Sequence, residues 1–198
     1  MSKILLPLVF IFFSMLLLCC NSNYTVGKKK GFFRIDLPEK KYQVFNQPGY
    51  PYTFEYPVYA LVTRDTSFFE DKAGDWWINI DVPQLAGRIY ISYKNIRDRN
   101  NFDSMVKDAI KMVYTQHTEI STGITDSLMQ TPNGGEGLYF NLSGNTATAN
   151  QFFLTDSTKH FLRGALYFDA TPNADSLRMV NDFLKQDLLH LINTLKWK

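Results

Sequence analysis

The stretch Gly137–Phe168, GLYFNLSGNTATANQFFLTDSTKHFLRGALYF, decides the fold. It holds three strand-length runs rich in aromatic and aliphatic residues, LYFNLSG, TANQFFLTD and HFLRGALYF. The breaks between them, Gly144-Asn145 and Asp156-Ser157-Thr158, are short and polar. Short turns join antiparallel neighbours, whereas parallel strands need a long crossover, so the stretch reads as a three-stranded antiparallel meander. Gly164 interrupts the third run, where a glycine marks a bulge or a backbone closely approached by a neighbour.

Working outward toward the C-terminus, Pro172 and Asn173 open a stretch with apolar residues at Leu177, Val180, Leu184, Leu188, Leu191 and Leu195, closing near Trp197. That spacing is one face of a long helix. Upstream, Phe102, Met105, Val106, Ala109, Ile110 and Val113 repeat the pattern, with Lys107, Asp108 and Lys111 opposite and Asn100 or Asn101 as the expected cap. Earlier still, Tyr59, Leu61 and Thr63, then WWINIDV over residues 76–82, then Ile89, Ile91 and Tyr93 follow the period of two expected of strands. In such a strand Trp76 and Trp77 point to opposite faces, one into the core and one outward as a contact anchor. Two amphipathic helices must bury their stripes against these strands. The expected class is α+β, an antiparallel sheet with helices packed on its faces.

The first residues carry a different message. Lys3 precedes ILLPLVFIFFSMLLL, residues 4–18, which is long enough for a signal-peptide core but shorter than the roughly 20 apolar residues of a membrane span. The junction LLCC before NSN resembles a lipobox, with small Cys19 before Cys20, whereas Leu18 before Cys19 is too bulky. The expected organisation is a lipoprotein signal peptide over 1–19, a lipidated N-terminus and flexible tether over 20–30, and a single globular domain over 31–198. Acyl chains on Cys20, at about 0.8 kcal/mol per buried methylene, would hold the domain at a membrane without a protein span. The polar tether includes Lys28, Lys29 and Lys30, suited to anionic head groups.

The 198 residues carry a net charge of +2, too little for a nucleic-acid footprint, and are 45% hydrophobic and 20% charged, as in ordinary globular proteins. Both cysteines lie at the leader junction, so the body has no thiol pair for a disulfide, thiol catalysis or a cysteine metal site.

Catalytic signals are absent. Ser143 in NLSGN lacks the glycine of a nucleophile elbow, and the Gly134-Gly135-Glu136-Gly137 run lacks the Gly-Lys-Ser/Thr of a phosphate loop and reads as a turn. His117, His160 and His190 show no metal-ligand spacing, and His117 suits the negative end of its helix better than a metal site with Glu119. No catalytic residue, metal or cofactor is therefore expected beyond the covalent lipid at Cys20. Asp156, His160 and Arg163 form a possible polar cluster at the meander turn, more naturally a hydrogen-bonded strand end than an acid-base pair.

The phrases GFFRIDLPEKKYQ at 31–43 and QFFLTDSTKHFLRGALYF at 151–168, joined by PYTFEYPVYA, WWINID, IYISYKNI, NTATANQFF, PNADSL and the terminal LKWK, closely resemble the gliding-motility lipoprotein GldD family. The order of elements is also similar to the PsbP-type α-β-α sandwich. The GldD resemblance implies a non-enzymatic cell-envelope lipoprotein required for gliding and associated with the type IX protein secretion system. It would act as an accessory or scaffold through contacts with other gliding and secretion envelope proteins. It would be held to a membrane by its lipid and face the periplasm. Asp36, Glu39, Lys40 and Lys41, just beyond the tether, are the expected protein-contact surface, and charge reversal at Lys40 and Lys41 should weaken co-purification with secretion components and spare folding. Asp103-Ser104, Asp126-Ser127, Asp156-Ser157 and Asp175-Ser176 resemble an O-glycosylation acceptor, although helix starts and turns also favour Asp-Ser. The alternative function is a lipid-anchored small-ligand-binding domain with a pocket between sheet and helix.

Overall fold

A computed structural model describes residues 34–65 and 76–198. The expected signal peptide, Cys20 and the expected tether lie outside the described residues. The meander is present and sits within a larger sheet. Strands β3 (Leu61–Arg64), β4 (Ile78–Val82), β5 (Gly87–Asn95), β6 (Gly123–Gln130), β7 (Glu136–Ser143), β8 (Asn150–Thr155) and β9 (His160–Phe168) form seven antiparallel strands in the order β3-β4-β5-β9-β8-β7-β6. A smaller sheet joins β1 (Tyr42–Phe45), β2 (Tyr52–Pro57) and β10 (Lys196–Trp197) in the order β1-β2-β10. The helices are α1 (Arg99–His117) and α2 (Ala174–Thr194).

Strand parity distributes the core. On β9, Leu162 and Leu166 join Ile89, Ile91, Phe152 and Leu154 in one buried cluster with Val180, Leu184 and Leu188 of α2. Phe161, on the opposite parity, joins Phe140, Leu142 and Phe153 in a second cluster with Ala109 and Val113 of α1. Each helix covers one face of the sheet, giving an α-β-α sandwich. Leu184 and Leu188 are fully buried, and each such side chain contributes about 1.5–3 kcal/mol.

Local details refine the sequence reading. Gly164 makes no bulge, since its register with Ile91 and Phe152 runs unbroken. It is needed because a Cβ there would overlap the Phe152 ring. Asp98, rather than Asn100 or Asn101, caps α1, its Oδ1 accepting from the Asn101 N–H at 2.8 Å. The Asn101 Oδ1 accepts in turn from the Arg97 N–H at 3.1 Å. Asn173 caps α2 by accepting from the Ser176 N–H.

The tryptophans depart from expectation. Strand β4 begins at Ile78, so Trp76 and Trp77 precede it, and both are half-buried with contacts to the larger core cluster. Their indole N–H groups donate to the carbonyls of Gly49 (2.7 Å) and Tyr93 (2.9 Å), which consumes the polar end of each ring. Trp77 also lines a cleft on the α1 side of the sheet. The Gly134–Gly137 run forms the β6–β7 turn and the start of β7, with Gly134 at φ +81°.

Candidate functional site

The lead-in segment splits into an inward and an outward part. Lys40 turns inward: its Nζ donates to the Asp187 Oδ1 at 2.6 Å and to the Phe183 carbonyl at 2.8 Å, and lies 3.4 Å from the Phe183 ring centre. Asp187, on α2, is 1% exposed and also accepts from the hydroxyls of Tyr42 (3.0 Å) and Tyr59 (2.5 Å). Burial lowers the Lys40 pKa against the opposing pull of Asp187. Burial and the Asp187 hydrogen bond push the Tyr42 hydroxyl up to about 12. Three donors thus converge on one buried carboxylate and fasten the segment around Lys40 to the last helix. Lys40 is a clamp, and its charge is already committed inside the fold. Asp36, Glu39 and Lys41 remain at the surface, with Lys41 and Glu39 paired at 2.7 Å. A charge-reversal test of this surface therefore belongs at Glu39 and Lys41, because reversal at Lys40 would set two carboxylates together.

The expected Asp156, His160 and Arg163 cluster separates into two sites. Asp156 closes the β8–β9 turn, its Oδ1 accepting from the N–H groups of Thr158, Lys159 and His160 at 2.8–3.0 Å. Burial alone would raise its carboxyl, but these backbone donors together outweigh burial and hold it at about 2. His160 is 4.0 Å from Asp156, meets the Tyr93 hydroxyl through Nδ1 at 2.6 Å and stacks on Trp197 with ring centres 5.0 Å apart. Arg163 lies three residues after His160, and that odd spacing sends it to the other face of the sheet. There its guanidinium donates to the Gln151 Oε1 at 2.7 Å. The turn is a hydrogen-bonded strand end, and Arg163 is no part of it. His117, the last residue of α1, is buried and bonds the Val113 carbonyl through Nδ1 at 2.9 Å.

Helix α1 crosses its face of the sheet with a cleft on either side. One cleft, of about 1020 Å³, lies between the N-terminal part of α1 and strands β6 to β8. Phe102, Val106, Ile110, Leu128, Leu138 and Phe153 give it an apolar lining. Leu128 is 89% exposed on β6, whose outer edge pairs with no strand among the described residues. Lys107 and Lys111 stand on the rim and make no ion pair among the described residues. The sequence reading missed this feature because β6, GITDSLMQ, shows little apolar alternation. The other cleft, of about 890 Å³, lies between the C-terminal part of α1 and strands β5 and β9 and contains Arg163.

The protein-family model described as gliding motility lipoprotein GldD matches residues 22–197, nearly the whole chain. The chain belongs to this family. Lipoprotein character and a part in gliding motility follow at the level of the family. No curated protein matches the chain. Among solved structures, the chain is similar to the cyanobacterial PsbP (CyanoP) solution structure from Synechocystis sp. PCC 6803, at 10% identity and a TM-score of 0.44, covering 82% of this chain and 95% of that one. The fold class of this GldD family member stands on its own sheet and its two flanking helices. Among its described residues no helix is long and apolar enough to cross a membrane, and no three His, Cys, Asp or Glu residues gather as a metal site.

Proposed function

We propose that this protein is a lipid-anchored accessory component of the cell envelope, working beside the type IX protein secretion system through protein-protein contacts. The acyl chains at Cys20 hold it to a membrane, the tether leads into the domain, and the domain faces the periplasm. Its role is assembly or scaffolding, without chemistry of its own.

The observation that carries this reading is Leu128, an aliphatic side chain 89% exposed at the mouth of an apolar groove beside an open strand edge. Exposed apolar surface next to unpaired backbone donors and acceptors suits strand addition by a partner. The occupant that fits is an extended segment of another envelope protein. Its backbone would pair with β6, its apolar side chains would enter the groove and its acidic residues would meet Lys107 and Lys111.

Deletion followed by complementation tests the proposal. Loss of both colony spreading and exported adhesins, restored by the wild-type chain and not by Cys20→Ala, is the expected result. Normal spreading and export in the deletion strain would remove the secretion role.

A further inference from the structure

The Arg163 cleft has a chemistry that the contact role does not use. Arg163 sits on β9 between Phe161 and Ala165 of the same parity, and lines the cleft with Ser92, Tyr90 and Tyr167. Its one hydrogen bond is to the Gln151 Oε1, and it has no carboxylate partner among the described residues. A guanidinium presents five donors in a planar fork and is costly to desolvate without an acceptor. Gln151 deepens the imbalance. Its Nε2 is buried without a partner, and the amide cannot be turned over without setting its NH2 group against the guanidinium. Gln151 pairs across the sheet with Ala165, which also lines the cleft. No carboxylate lies within ion-pair distance of Arg163 among the described residues, and the Gln151 Nε2 is left without an acceptor. Burial lowers the Arg163 pKa, with Tyr167 opposing, in keeping with a cation partly withdrawn from water.

The remaining walls define what kind of acceptor fits. Tyr90 and Tyr167 meet edge to face, with ring centres 5.4 Å apart, and offer apolar surface beside the cation. Asp65 and Asp108 also line the cleft, with Lys94 and Lys111. The Asp108 carboxylate disfavours a dianion such as a phosphate monoester, so a singly charged anion fits better. A planar carboxylate matches the fork geometry of a single guanidinium.

We propose that this cleft binds a small monocarboxylate, its carboxylate seated on the Arg163 guanidinium and its apolar portion against the Tyr90 and Tyr167 rings. Gln151 is a positioning residue, holding the guanidinium in place through its amide oxygen. This site is separate from the groove at Leu128, so its failure would leave the contact role untouched.

Benzoate is the probe, titrated into the full-length protein in a non-ionic detergent, with the Arg163 side-chain Nε–H resonance followed by NMR. A saturable shift with benzoate, and none with benzyl alcohol at the same concentrations, is expected. Arg163→Lys, checked for an unchanged thermal melt, should weaken benzoate binding about tenfold by replacing the fork with a point charge. Equal responses to benzoate and benzyl alcohol would overturn the proposal, as would the lack of a saturable response. Tighter binding of inorganic phosphate than of benzoate would overturn the monocarboxylate assignment. The comparison of benzoate with benzyl alcohol needs no variant, so it decides even if Arg163→Lys unfolds.

Discussion

The Lys40 ammonium lies 2.6 Å from the Asp187 carboxylate, although the two residues are 147 positions apart. This ion pair joins the segment leading into β1 to the last helix. Its two partners are unequal. Asp187 serves three donors, whereas Lys40 can turn its 24% exposed side chain toward water.

Substitution should reveal that asymmetry. Asp187→Ala lets Lys40 turn to water but leaves two tyrosine hydroxyls without their acceptor, and is expected to cost about 1–3 kcal/mol. Lys40→Met leaves the buried Asp187 charge with two tyrosine donors and no counter-ion, and should cost more, about 3–5 kcal/mol. Urea unfolding midpoints of the two variants, at unchanged slope, measure the difference.

Gly164→Ala adds one methyl where the Phe152 ring already lies. The ring cannot move without disturbing Ile91 and the α2-side core, so overpacking should cost about 1–3 kcal/mol. Gly123→Ala, at a position with open space around it, serves as the control and should stay within about 0.5 kcal/mol of wild type. Thermal melts of the pair provide the check.

The β8–β9 turn should make stability fall in acid in two stages. Burial lowers the His160 pKa in the folded state, with Asp156 opposing, so the unfolded chain takes up the proton first. The stability contributed by neutral His160 is present above about pH 6.5 and is lost as pH falls through its lowered folded value. Asp156, held at about 2 against an ordinary 3.8, contributes fully above 3.8 and loses that contribution as pH falls toward 2. Urea midpoints measured from about pH 7.5 down to about pH 2 should show both stages. His160→Phe, which keeps a ring for Trp197 to stack on, should flatten only the upper one.

Both helices and the meander were legible because their apolar residues keep a strict period and face a packed partner. Strands β6 and β10 were not. The edge strand β6 has few apolar residues, so solvent-facing positions dilute its alternation, and β10 is two residues long. The Lys40–Asp187 clamp leaves no local trace, since its members meet only through the tertiary fold. Arg163 is the instructive case: proximity in sequence suggested partnership with His160, yet the period of two in a strand already places residues 160 and 163 on opposite faces. Alternation outranks nearness wherever a strand is involved.

Leu128→Glu provides the most direct test of the proposed contact role, because the side chain is already in water and the fold does not depend on it. Introduced into the deletion strain, this variant should melt within about 0.5 kcal/mol of wild type and accumulate normally, yet fail to restore adhesin export and spreading. A folded Leu128→Glu protein that restores both to wild-type levels would contradict the account.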